Sequence, residues 1–528
     1  MSRKAMKVIS VLMALIMVMG CASTAFAGAD TKLVSNPRTE EVGEVAPFRL
    51  SVTVNGDPST QKGICWYTKT ETKSLVTVDG ANVESIKIDY DDVYEWEENY
   101  CHKALVSGLT PGESYTYTVS NGAEVLDESN SLSGSFKTDD DDSTVKFIDI
   151  ADVQAGNRNN MWKGANTLLA ALETMPDADF IGNMGDFTND SDNEEWDFYD
   201  EFFRDINANT TMAPVSGNHD GFARANWFNN MFKLDTSESV TTKNGVNYSF
   251  DYGNAHFAVL NTNDVLSISL SQLIWLKNDM NSTDKDWKIV FMHKTPYTFG
   301  KDGKWPDALY LQRSLTAVCD LCGVDLVMSG HDHQYLRTKP LKAGMVNENG
   351  TTYVLSGTAG TKRYEIRSFL AGLFMNKNTI AALNIQKDGY GNYWDGESWD
   401  NTRESNIGGC FNTVEIEGGK LTLNSYILSD NIYKNEEGKN VDLEERTEYN
   451  FDSYAEYITL ADTYVIEKET GKNKATFTGD NTTSEAEYIL GVVPSFMCLA
   501  TYTFGEWLPK FLINLPNLLY VYITEDTF

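Results

Sequence analysis

The most constraining feature of this sequence is a series of five short polar clusters, each placed directly after an apolar segment. The clusters are Asp152-Val153-Gln154, Gly185-Asp186, Gly217-Asn218-His219-Asp220, His293 and Gly330-His331-Asp332-His333. The apolar segments have the residue types of buried strands, so every cluster is predicted to lie where a strand ends. Ligand-binding residues of α/β sheets collect at the carboxyl ends of strands. The five clusters are therefore predicted to meet in one site.

Helical segments separate these strands. Lys146–Ala151 and Phe180–Met184 are predicted strands, and Ala165–Glu173 between them has apolar residues at helical spacing. Ser269–Met280 is a second predicted helix, ahead of the strand that ends at Met292. Strands that alternate with helices indicate an α/β layered sheet.

The residue types in the clusters are those that bind transition metals. Histidine nitrogens and carboxylate or amide oxygens are usual ligands of zinc, manganese and iron, and four of the six histidines of the chain fall in this set. A single histidine after a strand is most often a structural residue, but five clusters in one order favour a metal site. Asp186 is the candidate for a carboxylate shared by two cations. His256, in an apolar strand, is predicted to be a core residue.

The balance of charge argues against one class of function. The chain has 528 residues, with 43 Lys and Arg against 76 Asp and Glu, and its formal net charge is -33. Nucleic acids and anionic membranes are bound by clustered Lys and Arg, so no nucleic-acid surface is expected. Any phosphate group that this protein handles must be held by local positive charge.

A different pattern precedes the clusters. Short alternating segments separated by turns predict a small β-sandwich, and they are Phe48–Val54, Gly63–Thr70, Lys103–Val106, Ser114–Ser120 and Gly134–Thr138. The stretch from Leu105 to Val119, with a Pro-Gly turn and an alternating tyrosine strand, resembles the late strands of fibronectin type III domains. Cys65 and Cys101 lie in this unit. Export would allow a disulfide between them, and two buried free thiols are the alternative.

Four adjacent carboxylates, Asp139 to Asp142, separate the two patterns. They repel one another and favour an extended, solvated segment. We therefore predict a sandwich at residues 28–138, a linker at 139–143 and the layered domain at 144–430. Residues 431–528 form a C-terminal region whose pattern predicts no role.

The N-terminus has the layout of a secretory signal peptide. Positively charged residues precede an apolar run at Val8–Gly20, and Ala25-Phe26-Ala27 is a small-x-small cleavage site. Residues 1–27 are therefore predicted to be removed, and the mature protein to be secreted or extracellular. In the alternative interpretation a lipidated Cys21 attaches it to the cell surface. The apolar tail at Ile489–Ile523 is a second candidate for membrane attachment, although charges and prolines interrupt it.

In combination, the clusters resemble the pattern of the calcineurin-like metallophosphoesterase superfamily, which is D-x-H, G-D, G-N-H-[D/E], H and G-H-x-H. The resemblance covers residues 144–430 and implies an α/β/β/α layered metallophosphatase domain after the sandwich. Within the superfamily the chain is most similar to the purple acid phosphatase-like branch. A fibronectin-type unit precedes the domain, and the last cluster continues as Gln334-Tyr335-Leu336-Arg337.

The resemblance assigns a role to each cluster. It implies two divalent or mixed-valence ions of iron, manganese or zinc, the first held by Asp152, Asp186 and His333 and the second by Asp186, Asn218, His293 and His331. These ions would bind the phosphoryl oxygens and lower the pKa of a water molecule that attacks phosphorus. His219 would contact the phosphoryl group of a phosphorylated small-molecule substrate and act as an acid for the leaving alkoxide, with Asp220 orienting it.

Two positions depart from the family pattern. Gln154 stands where many members have histidine, so the first ion would have an amide ligand or one protein ligand fewer. Asn189 stands where true purple acid phosphatases have their tyrosine. The leading interpretation is a secreted phosphomonoesterase with two metal ions. The alternatives are a phosphodiesterase or nucleotide hydrolase with the same metal centre, and a surface-binding protein whose site has lost activity.

Overall fold

The structure of this chain is a computed structural model. It describes residues 32–127, 129–220, 227–241, 245–264, 267–300, 306–364, 379–387, 390–394, 399–400 and 407–469. The predicted signal peptide, Cys21 and the apolar tail lie outside the described residues. Within these ranges no helix is long and apolar enough to cross a membrane.

The N-terminal part contains one end of an 11-stranded sheet and a separate three-stranded sheet. Its strands are β1 (Phe48–Thr53), β2 (Gln61–Thr68), β3 (Leu75–Asp79), β4 (Lys87–Tyr90), β5 (Tyr94–Trp96), β6 (Asn99–Ser107), β7 (Ser114–Ser120) and β8 (Ser131–Lys137). One sheet contains β1, β2, β4, β5 and β6, and β3, β7 and β8 form the other. Val52, Trp66 and Tyr117 belong to the core that both sheets share. All five predicted strands are present, and the fibronectin type III-like character stays a prediction.

The remaining chain alternates strands with helices. Its first half contains β9 (Thr144–Ile150), α1 (Arg158–Thr174), β10 (Phe180–Asn183), α2 (Asn193–Asn209), β11 (Met212–Pro214), α3 (Trp227–Met231), β12 (Tyr248–Tyr252), β13 (Ala255–Val259), α4 (Leu270–Ser282) and β14 (Trp287–Met292). Its second half contains α5 (Pro306–Cys322), β15 (Leu326–Ser329), β16 (Tyr335–Thr338), β17 (Leu341–Lys342), β18 (Met345–Val346), β19 (Thr352–Ser356), β20 (Ile380–Lys387), β21 (Tyr390–Trp394), β22 (Trp399–Asp400), β23 (Ile407–Glu417), β24 (Lys420–Ser429) and β25 (Ile458–Glu467).

Two large sheets pack face to face. The first has the order β25-β24-β23-β9-β10-β11-β1-β2-β6-β4, and the second β12-β13-β14-β15-β19-β16-β20-β21-β22. Phe147 of β9 lies between them, with ring centroids 5.6 Å from Phe257 and 5.5 Å from Phe291. Helix α1 packs beside β23, and α4 and α5 share a second core with the outer face of the second sheet. The predicted α/β/β/α layering is therefore present.

Strand β14 shows why the layers form. Ile289 and Phe291 point into the core between the sheets, and Val290 and Met292 point to the helices. A strand that is buried on both faces needs an almost continuous apolar run, whereas a half-exposed strand alternates. The run before His293 is therefore long enough to predict a central strand and to fix where it ends.

The first sheet crosses the predicted boundary between the two units. β1 runs parallel to β11, with Thr53 beside Met212, so the N-terminal strands continue the sheet of the layered part. Asp139 is buried and accepts a hydrogen bond from the Gly253 amide at 2.9 Å. The expectation of a fully solvated linker is wrong at this residue, while Asp140 to Asp142 are exposed.

The structure distinguishes the two alternatives for the cysteines of the N-terminal part. Cys65 and Cys101 are buried free thiols with their sulfurs 4.0 Å apart, which is the second of the two alternatives.

Strand β25, inside the region at 431–528, pairs with β24 along the edge of the first sheet. Part of the C-terminal region is therefore integral to the layered fold.

Candidate metal centre

All five polar clusters lie at carboxyl ends of parallel strands, and backbone hydrogen bonds join their loops. The amide of Asp152 donates to the Gly185 carbonyl at 3.0 Å, and the amide of Gly330 donates to the His293 carbonyl at 2.9 Å. The amide of Gln154 donates to the Asp186 carbonyl at 2.8 Å. The clusters therefore meet in one site, as the sequence analysis expected.

Glycine is required where two of these loops cross. Gly185 has a φ of 94°, and a Cβ on it would lie 2.6 Å from the Gly217 nitrogen. A Cβ on Gly217 would in turn overlap the backbone of Asp186. Any other residue at these positions would push the Asp186 loop and the Asn218 loop apart.

Strained backbone is concentrated at the predicted ligands. Five of them have left-handed φ values, namely Asp152 (54°), Gln154 (36°), Asp186 (57°), His331 (84°) and His333 (48°). Such conformations cost about 1–3 kcal/mol each for residues other than glycine, and they persist where function requires them. The strain turns side chains of consecutive loops toward a common point.

The first group of donor atoms comes from Asp152, Asp186 and His333. One ligand atom from each lies within 4.8 Å of the other two, and all three residues are buried. Nε2 of His333 is 3.7 Å from Oδ1 of Asp152. Since Nδ1 of His333 is hydrogen-bonded to the Lys362 carbonyl at 2.8 Å, that nitrogen carries the proton and Nε2 presents a lone pair.

The second group consists of Asp186, His293 and His331, again with ligand atoms within 4.8 Å of one another. Nε2 of His293 lies 3.3 Å from Oδ2 of Asp186 and 3.2 Å from Nδ1 of His331. The amide oxygen of Asn218 is 3.0 Å from the same Nε2. Asp186 belongs to both groups, as predicted for a carboxylate between two cations.

Electrostatics within the site favour bound cations. Burial lowers the pKa of His331, and it lowers that of His333 to about 3, so both imidazoles are neutral and available as ligands. Burial opposes charge on Asp186, but the nearby His293 outweighs it and holds the Asp186 pKa well below its usual value. Despite burial, Asp186 in turn raises the pKa of His293 to about 9. A metal cation can replace that proton.

Unsatisfied polar atoms support the fit to metal ions. Among the described residues, neither the oxygen nor the nitrogen of the Gln154 amide has a hydrogen-bond partner, and Nε2 of His333 also has none, although these atoms are buried. Leaving such groups unpaired costs about 1–3 kcal/mol each. Imidazole, carboxylate and amide donors suit zinc, manganese or iron, so the residues present fit the implied ions.

His219 and Asp220 lie at the same site, but they are arranged differently from the prediction. The Asp220 carboxylate accepts hydrogen bonds at 2.8 Å from the amides of Gly217, Asp186 and Phe187. Nδ1 of His219 instead contacts the Asn189 carbonyl. The expectation that Asp220 orients the imidazole is therefore corrected, because its oxygens are bonded to the loop backbone.

The predicted set did not include the loop at residues 357–364. It follows β19, a parallel strand of the second sheet, and its Lys362 carbonyl accepts a hydrogen bond from His333. The one sign in the sequence that this loop borders the site is its position directly after an apolar strand, which it shares with the five polar clusters. Its turn residues, Gly357-Thr358-Ala359-Gly360, do not have the metal-ligand side chains that marked the other clusters.

A family model described as calcineurin-like phosphoesterase matches residues 145–335. This range contains every predicted ligand. The resemblance to the calcineurin-like metallophosphoesterases is thereby confirmed. Members of this family use binuclear metal centres, and the two candidate ligand groups of this chain agree with such a centre.

Relatives point to the purple acid phosphatase-like branch. Purple acid phosphatase 15 of Arabidopsis thaliana is 23% identical over 175 residues, which are 32% of this chain and 32% of that protein. "Probable inactive purple acid phosphatase 1" of the same plant is 24% identical over 312 residues, which are 50% of each chain. The chain spans about a third of the length of the first of these relatives.

A solved structure has the same fold. Purple acid phosphatase PPD1 from yellow lupin seeds superimposes with a TM-score of 0.54 at 15% identity, over 81% of this chain and 75% of that one. Likeness at this identity shows the fold alone. The metallophosphatase fold and the branch expected from the sequence are thus both supported, and substrate and activity are matters for the proposal that follows.

Proposed function

We propose that this protein is a metallophosphoesterase, namely a secreted hydrolase of phosphate monoesters with two metal ions. The observation that carries the proposal is the pair of buried ligand groups that share Asp186. Proteins of several unrelated activities have one metal position, but two positions joined by a carboxylate suit a phosphoryl group whose oxygens must be held on both sides.

The protein ligands divide between two positions. Asp152, Gln154, Asp186 and His333 would hold the first ion, and Asp186, Asn218, His293 and His331 the second. When bound, the ions supply Lewis-acid activation of the phosphoryl group and of the attacking water. The protein fixes the spacing of the donors through the strained loops, and it keeps the carboxylates and imidazoles buried away from competing solvent.

His219 is the candidate acid for the leaving group. Its backbone amide donates to Oδ1 of Asp186 at 2.8 Å, which fixes the residue beside the shared carboxylate. Because the Asn189 carbonyl accepts the hydrogen bond at Nδ1, that nitrogen keeps its proton. A second proton on the imidazole is then placed at Nε2, from which it can pass to the departing alkoxide.

The charge of the protein and its proposed location support a small substrate outside the cell. With a net charge of -33, the protein surface repels polyanions, and a small phosphate monoester depends on the ions for its binding. The signal-peptide layout of residues 1–27 supports action outside the cell.

The test is hydrolysis of p-nitrophenyl phosphate against bis-p-nitrophenyl phosphate, with elemental analysis of the purified protein. We expect about two metal ions per chain and a higher kcat/KM for the monoester. A preference for the diester would replace the proposal by a phosphodiesterase. Bound metal without turnover of either ester would favour a surface-binding protein, and absence of metal would refute the proposed centre.

A further inference from the structure

The loop at residues 357–364 contacts a ligand of the first metal position from behind. Oγ1 of Thr358 donates to the Asp152 carbonyl at 2.7 Å, and the amide of Gly360 donates to the same oxygen at 3.3 Å. The amide of Ala359 donates to the Ala151 carbonyl at 2.7 Å. Three hydrogen bonds therefore tie this loop to the backbone that carries the Asp152 carboxylate.

The far end of the loop holds the histidine ligand of that position. The Lys362 carbonyl accepts a hydrogen bond from Nδ1 of His333. The ring of Tyr364 stacks on the imidazole, with ring centroids 4.3 Å apart and an interplanar angle of 27°. The Gln334 side chain donates to the Tyr364 carbonyl at 3.0 Å. The imidazole is thus fixed both in its plane and against its face.

A half-buried arginine, Arg363, shapes the loop between these two contacts. Nη1 of Arg363 donates to the Gly360 carbonyl at 2.6 Å and to the Lys362 carbonyl at 3.2 Å. The Lys362 oxygen therefore receives hydrogen bonds from both Arg363 and His333. Any change that moves this oxygen changes the direction in which Nε2 of His333 points.

The second metal position is held by other elements. Nδ1 of His293 is bonded to the Met184 carbonyl at 2.8 Å, on the loop after β10. Asn218 is carried by the loop after β11. Outside the loop itself, the contacts of residues 357–364 described above reach Asp152 and His333 of the first group and their chain neighbours Ala151 and Gln334.

We propose that Tyr364 is a positioning residue for His333 and that, through it, the loop at 357–364 sets the metal affinity of the first position separately from that of the second. This inference rests on the proposed function, because it needs two metal positions. The physical reason is that groups behind a metal-ligating histidine fix its tautomer and ring direction, and their loss commonly weakens metal binding about 10–100-fold.

The test is a titration of the metal-free full chain with Zn²⁺, followed by calorimetry. Tyr364→Leu is expected to weaken one of the two binding steps about 10–100-fold and to leave the other unchanged. Tyr364→Phe keeps the stacked ring and should bind both ions as the wild type does. Arg363→Met, which keeps the ring but loses the hydrogen bonds to the loop, should weaken the same step as Tyr364→Leu.

A matched control separates positioning from general destabilisation. Tyr426 is also a stacked tyrosine, 5.1 Å from the ring of Phe411, and Tyr426→Leu should leave both binding steps unchanged. Equal weakening in Tyr426→Leu and Tyr364→Leu would overturn the inference, as would unchanged binding in Tyr364→Leu. Equal loss in Tyr364→Phe would also overturn it, because that variant keeps the stacked ring.

The same titration distinguishes failure of the inference from failure of the proposed function. Wild-type protein that binds two ions, together with a Tyr364→Leu variant that binds them equally well, would overturn only the inference. Wild-type protein that binds no ion would overturn both. Circular dichroism and urea unfolding of each variant show whether it is folded before its affinities are compared.

Discussion

Two clusters of histidine and carboxylate can be compared in the part of the chain that the structure describes, and one of them has the features of a metal centre. In the other cluster, Nδ1 of His256 contacts Asp251 at 2.7 Å and Nε2 contacts Asp279 at 2.9 Å. Both ring nitrogens are therefore occupied. In the candidate centre, by contrast, Nε2 of His333 and the amide of Gln154 are buried without a hydrogen-bond partner in the described part of the chain.

The backbone distinguishes the clusters as well. Asp251 and His256 lie on paired strands and Asp279 on helix α4, and none of the three is among the described residues with left-handed φ. Asp251, His256 and Asp279 also line a cleft of about 540 Å³, so a cavity with acidic and basic groups does not by itself identify the chemistry. Strained loops with unsatisfied donors are the more informative sign.

The largest expected effect comes from the carboxylate common to both ligand groups. Asp186→Asn keeps the shape of the side chain but removes the charge that two cations would share. We expect kcat for p-nitrophenyl phosphate to fall by about 10⁴-fold, equivalent to about 5.5 kcal/mol, with loss of bound metal. Steady-state kinetics and elemental analysis of the same preparation check both parts.

Asp251→Asn is the matched control, because it removes one carboxylate from the self-paired cluster. It should leave metal content and kcat unchanged. If Asp186→Asn retained full turnover, the distinction between the two clusters would fail.

The second prediction separates a ligand from a reacting group inside the candidate centre. His219→Gln should lower kcat for alkyl phosphates by about 10²–10³-fold, because the leaving alkoxide loses its proton donor. Both metal ions should remain bound, since no His219 nitrogen belongs to either ligand group. Aryl phosphates with acidic leaving groups need less protonation, and their hydrolysis should be affected less.

A loss of metal together with activity in His219→Gln would contradict this assignment and make His219 a structural or ligating residue. The comparison of alkyl and aryl substrates supplies the control, because a general disturbance of the site would slow both equally.

The sequence could predict the ligands because each one follows an apolar run that leaves little choice of strand end. Asp152, Asp186 and His293 are all placed by this rule, and the structure brings them together. The role of Asp220 could not be predicted, since whether its carboxylate faces an imidazole or backbone amides depends on how two loops cross at Gly185 and Gly217.

Contacts between distant parts of the chain explain why the place of β25 and the partners of His256 could not be predicted from the sequence. Strand β25 has weak alternation, with Leu460 and Val465 exposed, and its place in the first sheet depends on β24 rather than on its own pattern. His256 was predicted as a core residue, and it is buried at 6% exposure. Its two carboxylate partners come from β12 and α4, five and 23 residues away, and no local motif marks them.

The third prediction concerns stability. Despite burial, Asp251 and Asp279 raise the pKa of His256 to about 9. The imidazolium therefore stabilises the fold fully below its unfolded pKa of about 6.5, and this contribution is lost as pH rises through about 9. We expect His256→Gln to lower the free energy of unfolding by about 2 kcal/mol at pH 6. This figure is smaller than the pKa shift alone would give, because solvent screens the interaction of His256 with the half-exposed Asp251.

Urea unfolding at pH 6, 8 and 10 measures this difference, which should shrink toward the highest pH. Metal content and turnover should stay at wild-type levels at neutral pH. A difference that did not change with pH would show that His256 acts by packing, and loss of metal would place it in the catalytic centre.

The smallest effect is expected at the ligand that departs from the family pattern. Gln154→Ala removes an amide that is buried, has no hydrogen-bond partner among the residues that the structure describes and belongs to a residue with a φ of 36°. It should weaken the first metal position about tenfold. Gln154→His restores the residue that many family members have. We expect it to increase the metal affinity of that position, because imidazole is a better donor than an amide to zinc or iron.

Zinc titration of both variants measures the affinity of the first position. If neither variant changed the first binding step, the unsatisfied Gln154 amide would have no part in metal binding. Strained backbone, which the candidate centre has and the His256 cluster lacks among the described residues, would then be a better sign of a metal centre than buried polar atoms without partners.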